Sequence, residues 1–125
     1  MERLKKLMLY PSGLLINYDG WVYKVQGASL LPLVSWSAAM SWNQPILAAD
    51  EDLVEDNYDI SKQKLGYRPT TVVRSTDGTK YYIDGINKRK MDKFAFRLLG
   101  FNDFETVEID DQDLKFHPTG ADLIG

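Results

Sequence analysis

The sequence predicts an α+β domain of two tandem repeats, each a β-hairpin followed by a short helix and a further strand, the two sharing one core. Three observations predict it. First, the halves of the chain align. Asp19-Gly20 falls on Asp77-Gly78, and Tyr23, Val25 and Gly27 fall on Tyr81, Ile83 and Gly85, all 58 residues apart. Leu33, Trp36, Ser37 and Met40 fall on Met91, Phe94, Ala95 and Leu98 at the same spacing, and Asp50-x-Asp52-Leu53 falls on Asp111-x-Asp113-Leu114 at 61. Second, within each copy the apolar period changes from the two of a strand to the 3.6 of a helix. Third, each copy is about half of 125 residues and the chain has no cysteine. A unit that small rarely stabilises itself without a disulfide or a metal, so the copies are expected to share one core.

Residues 1–12 read as an N-terminal short helical segment. Leu4, Leu7 and Met8 sit at i, i+3 and i+4, and Pro11-Ser12-Gly13 ends the turn. The first repeat with its linker occupies 13–66. Leu14-Leu15-Ile16 is a strand, Asp19-Gly20 a hairpin turn, and Trp21 to Val25 a second strand with alternating faces. Leu30-Leu31 starts a third extended stretch. Leu33, Trp36, Ser37 and Met40 are expected to form the buried stripe of a short helix that Asn43-Gln44-Pro45 stops. Residues 55–68 are polar and read as a loop or linker.

The second repeat occupies 67–125. Val72-Val73 is its first strand, Asp77-Gly78 its turn, and Tyr81 and Ile83 its inward face. Asp92 is an N-cap, Met91, Phe94, Ala95 and Leu98 are the helix stripe, and Gly100 is the residue that closes the helix. Val107 and Ile109 alternate as a strand. Pro118-Thr119-Gly120 is similar to Pro11-Ser12-Gly13, and Leu123-Ile124 to Leu15-Ile16. The tail is therefore expected to be the start of a truncated third copy.

Composition narrows the function. The net charge is −3, with 44% hydrophobic and 26% charged residues. Neither half has a cationic excess, so no nucleic-acid partner is expected. No apolar run reaches membrane-spanning length, so no membrane span is expected. The charged start has no adequate apolar stretch behind it, so no signal peptide is read. A virion or cell-exterior setting, with synthesis in the cytoplasm, then fits release by lysis.

No catalytic constellation stands out. The single histidine, His117, lies beside Pro118 and reads as a surface or turn residue, yet it marks the one place where a Ser-His-Asp site is possible. The acidic cluster Asp50, Glu51, Asp52, Glu55, Asp56 and Asp59 lacks the glycine of a calcium loop. No metal, no cofactor and no enzymatic activity are expected. The candidate partner-binding residues are Trp21, Leu30, Leu31, Lys88 and Arg89. Trp21 opens a hairpin strand where an aromatic can stack on a sugar or enter a partner. Trp36 and Trp42 read as core. Ala28 to Val34 is apolar where the second copy has Asn87-Lys88-Arg89-Lys90, so a subunit or the other repeat is expected to cover Leu30 and Leu31. The basic run itself reads as a charged strand edge.

In the second copy, Asp-Gly-Thr-Lys-Tyr-Tyr-Ile-Asp-Gly is followed by Lys88-Arg89-Lys90-Met91, a helix ending in Leu99-Gly100-Phe101, and a closing Pro-x-Gly. This resembles short tandem repeats of microbial surface, cell-wall-associated and phage structural proteins. The first copy departs from the pattern at Leu30-Leu31 and lacks the Pro-x-Gly after Leu53. The resemblance implies a non-enzymatic module on a cell or virion surface and transfers no catalytic residue. The expected function is a structural or adhesive component of a phage virion that docks to protein partners or self-assembles. The alternatives are a module binding cell-surface polysaccharide and a small enzyme or enzyme regulator.

Overall fold

The computed structural model describes residues 9–124; the helical turn expected at Leu4, Leu7 and Met8 lies outside them. The fold is α+β. The first sheet-forming stretch contains β1 (Leu15–Tyr18), β2 (Trp21–Gln26), β3 (Ser29–Pro32), α1 (Trp36–Ser41), β4 (Ile46–Ala48), α2 (Glu51–Asn57) and β5 (Asp59–Ile60). The second contains β6 (Val72–Arg74), β7 (Lys80–Asp84), β8 (Asn87–Met91), α3 (Lys93–Leu98), a 3₁₀ turn (Asp103–Glu105), β9 (Thr106–Glu108) and α4 (Asp111–Phe116). Both stretches therefore run βββαβα, and both sheets have the same plan. An antiparallel meander is flanked by a parallel strand: β4-β1-β2-β3-β5 in one, β9-β6-β7-β8 in the other.

Register locates the gaps between the copies. Ile16 faces Tyr23 across the first hairpin, and Val73 faces Tyr81 across the second. The spacing is thus 57 before the turn and 58 after it, which places a one-residue insertion in the turn itself. Asp19 and Gly20 have φ of 52° and 80°, the left-handed pair of a two-residue type I′ turn, whose twist matches the flanking strands. In the second copy Asp77 organises the longer turn by accepting from Ser75 Oγ and from Thr79 N at 2.9 Å. These bonds hold its carboxyl well below the ordinary value, at about 2.

The chain divides into two compact units. One comprises residues 9–33 with Asn43–Leu65, the other Val34–Trp42 with residues 66–124. The units depart from the repeat boundary in one respect: α1, which follows the strands of the first copy, groups with the second unit. Each unit has its own buried cluster. In the first, Ile16, Val25 and Leu30 from one sheet face meet Val54 of α2. In the second, Val72 and Met91 meet Ala95 and Phe96 of α3. Adjacent residues Leu15 and Ile16 are both fully buried, as are Val72 and Val73. Successive strand side chains point to opposite faces, so both faces of these strands are covered.

Three expectations are corrected here. Leu30 is 0% exposed and Leu31 is buried; Leu30 packs on Val54 within its own unit, because residues 55–60 contain the end of α2 and a strand rather than a free loop. The helix stripes are rotated. Ala38 and Ala39 are buried in α1, and Ala95 and Phe96 in α3, while Trp36, Met40, Phe94 and Leu98 are exposed. Trp36 is therefore not core, and Trp42 is half-buried with its indole N–H donated to Gly66 O at 3.0 Å. Finally, the tail lies along β8. Lys88 bridges Thr119 and Met91 bridges Leu123 in parallel, as Leu30 pairs with Ile60 and Leu33 with Leu65 in the first unit. It closes the second sheet in the place that residues 59–65 occupy in the first, rather than opening a third copy.

Candidate functional site

The densest set of chemically versatile side chains lies inside the second unit. Ser35 is the N-cap of α1 and accepts from Ala38 N at 3.0 Å. The same hydroxyl donates to Asp113 Oδ2 at 2.5 Å. Asp113, on α4, is buried and also accepts from the Tyr67 hydroxyl at 3.1 Å. Tyr67 N–H donates to His117 Nε2 at 3.1 Å, and His117 Nδ1 meets Ile86 O at 2.7 Å. A carbonyl can only accept, so the bonding assigns the imidazole proton to Nδ1. His117 is 1% exposed, which overturns its reading as a surface residue. Tyr67, Phe116 and Gly66 pack around the ring.

This set has the residue types of a Ser-His-Asp hydrolase in the wrong connectivity. Ser35 is bonded to the carboxylate, and both imidazole nitrogens are committed to backbone groups. No ring nitrogen is left to take the serine proton, which is the step a general base must perform. The network acts instead as a clasp. One carboxylate ties α1, through its cap, to α4 and to the segment that leads into β6. Burial, and then the Asp113 charge, raise the Tyr67 phenol well above its ordinary value, so it stays a donor. Burial lowers the His117 imidazole, so it stays neutral. Gly66 sits against the clasp: a Cβ there would meet His117 Cε1 and Nε2 at 2.6 Å.

The first unit has a counterpart. Tyr10, 57 residues before Tyr67, donates its N–H to the Tyr58 hydroxyl at 2.5 Å, and its own hydroxyl accepts from Asp50 N at 3.0 Å. Tyr58 and His117 are the C-cap residues of α2 and α4. In both units, then, a tyrosine before the first strand is held at its backbone by the C-cap side chain of the last helix. Its ring reaches the first turn of that helix. The sequence signal for this was the shared spacing of Tyr10 and Tyr67, which lies upstream of the aligned strands.

The candidate partner residues have structural duties. Trp21 is half-buried and donates its indole N–H to Leu33 O at 2.8 Å. Lys88 holds the place of Leu30: it turns inward, donates to Leu114 O at 2.9 Å near the C-terminus of α4, and has its pKa lowered by burial. Arg89 donates to Ala121 O at 2.9 Å and pairs with Asp84 at 3.1 Å. The Lys88 side chain thus holds α4 and that of Arg89 holds the tail, and β8 is not a bare edge, since the Lys88 backbone pairs with Pro118 and Gly120. Of the acidic residues, Asp50 and Asp110 are N-caps, accepting from Leu53 N and Asp113 N at 3.0 and 2.7 Å. This equivalence has a spacing of 60, one less than the sequence match. Among the described residues no group of three acidic or histidine side chains is placed to hold a metal, and no helix is long and apolar enough to cross a membrane.

What the second unit does present outward is apolar. Phe94 is 68% exposed, Leu98 79% and Phe104 99%, with Leu99 also exposed. Phe94 and Leu98 are four residues apart and share one face of α3. The equivalent pair on α1, Trp36 and Met40, is exposed too. Beside α3 lies a groove of about 480 Å³, formed by the β6–β7 turn, β8 and α3, with Lys80, Lys90, Lys93 and Arg97 among its lining.

No protein-family model matches the chain, and no curated protein sequence does. Among solved structures, the chain is similar to one described as the periplasmic assembly from the ESX-5 inner membrane complex. The identity is 10% and the TM-score 0.35, with 93% of this chain and 41% of that chain covered. The chain thus spans about two fifths of that protein's length, and the likeness is too slight to carry fold or function.

Proposed function

We propose that this protein is a non-enzymatic structural module that docks to protein partners through the exposed faces of its first-position helices. The setting is the one its repeat pattern suggests, a virion or a cell surface. The observation that carries the reading is that both copies expose the same two apolar positions. Trp36 and Met40 on α1 correspond to Phe94 and Leu98 on α3, and all four are exposed. Single exposed apolar residues are ordinary. An i, i+4 pair repeated at equivalent positions, with Leu99 and Phe104 following the second, is the kind of patch that marks an interaction surface. Partners would bury it as an amphipathic helix face is buried in a groove. A carbohydrate-binding role rested on Trp21, whose indole is held within its own unit.

Light scattering coupled to size exclusion, over a wide concentration range, tests the reading. The expected result is a discrete multimer for the native chain and a monomer for the variant Phe94→Asp, Leu98→Asp. A native chain that stays monomeric throughout, or a variant that assembles as before, overturns docking between copies through this face.

A further inference from the structure

The groove beside α3 is a second feature that the apolar face does not use. Its floor is apolar: Met91 and Phe96 are buried beneath it. Lys80 crosses the floor 3.9 Å from the centre of the Phe96 ring and pairs with Asp103 at 2.9 Å, so its charge is already matched. Asp92 is occupied as the N-cap of α3, accepting from Ala95 N at 2.7 Å. The remaining cations of the lining are Lys90, Lys93 and Arg97, all exposed. Among the described residues none of the three has a salt bridge. The lining therefore sets four cations against the carboxylates of Asp92 and Asp103, a surplus of two positive charges over an aromatic floor, with Asp77 of the β6–β7 turn facing Lys90 from one side, in a chain whose net charge is −3. Its volume of about 480 Å³ is large enough to admit a short peptide segment.

We propose that this groove binds a short acidic segment of a partner protein, with carboxylates between Lys90, Lys93 and Arg97 and an apolar side chain over Phe96. Two arguments choose an acidic peptide over a phosphate polymer. Screening confines the attraction of three exposed cations to roughly 10 Å, enough for a few carboxylates. The floor of Met91 and Phe96 also suits a ligand with apolar side chains. The proposal rests on the docking function above and names its partner's chemistry.

The test is fluorescence anisotropy with the full chain and a fluorescein-labelled octapeptide of alternating Glu and Leu. Alternating Lys and Leu, and an eight-nucleotide oligo-dT, serve as comparisons. The acidic peptide is expected to bind, to weaken between 50 and 300 mM salt (about a twofold shorter screening length), and to outcompete both others. The triple variant Lys90→Gln, Lys93→Gln, Arg97→Gln should lose about tenfold in affinity. These side chains are exposed, so circular dichroism should show an unchanged fold; Lys115→Gln, on α4 away from the groove lining, serves as the charge control and should bind like the native chain. No binding of the acidic peptide, equal binding by the triple variant, or tighter binding of oligo-dT overturns the proposal. Phe94→Asp, Leu98→Asp separates the two readings. If that variant loses assembly while the native chain fails to bind the peptide, the groove proposal falls and docking stands.

Discussion

Tyr67 is bonded at both ends of its residue: its N–H to His117 Nε2 and its hydroxyl to Asp113 Oδ2. Removing the hydroxyl leaves a buried carboxylate with Ser35 as its side-chain partner. Tyr67→Phe is therefore expected to lower stability by about 1–3 kcal/mol, read as a lower urea midpoint with an unchanged slope. The partner of its N–H makes stability depend on pH. His117 has a lowered pKa in the folded state, while the unfolded chain takes up the proton near 6.5. Its contribution is fully present above about pH 6.5 and is lost as pH falls toward the lowered folded value. The urea midpoint should fall between pH 7.5 and 5.5. His117 is the one histidine in the sequence, so His117→Phe should flatten the curve in that window while lowering stability at pH 7.5.

At the scale of elements, cap and turn chemistry act locally, and they act as the residue types require. Asp92 accepts from Ala95 N, Gly100 has φ of 82°, and Phe101 N–H reaches Phe96 O at 3.2 Å to close α3. The helix ends thus need no tertiary information. The buried face does. Met91, Phe94, Ala95 and Leu98 satisfy helical spacing, yet the helix begins only at Lys93 and turns Ala95 and Phe96 inward. Two apolar stripes overlap on these six-residue helices, and spacing cannot choose between them. The consequence is measurable. At a concentration low enough to keep the chain monomeric, Phe94→Ser, Leu98→Ser should change the melting temperature by no more than about 2 °C, as exposed substitutions do. Phe96→Ala should cost about 3–5 kcal/mol.

At the scale of the whole molecule, each unit is about half of 125 residues, a size at which independent stability is marginal. Cooperative unfolding of both units together is the expected outcome. Trp21 reports on the first unit, and Trp36 and Trp42 on the second. Urea curves from Trp21→Phe fluorescence, from native fluorescence and from far-ultraviolet circular dichroism should coincide. Separated midpoints would instead give each unit its own stability.

The class, the hairpin turns and the two ends of α3 were legible from residues alone, because turns and caps depend on neighbours within a few positions. Asp19-Gly20 needs only its own φ values, and Asp92 only the amide three residues on. The clasp was not legible. Ser35, Tyr67 and Asp113 meet across 78 residues of chain, and His117 looks like a turn residue until Gly66 and Tyr67, about 50 residues upstream, pack against it. Lys88 and Arg89 looked like a charged edge until the tail occupied the edge. The sequence by itself determined an α+β chain, its two hairpin turns and the ends of α3. Only the tertiary structure decided which helix faces are hidden and which cations are spent on the chain itself, because burial is a property of what packs from far away in sequence.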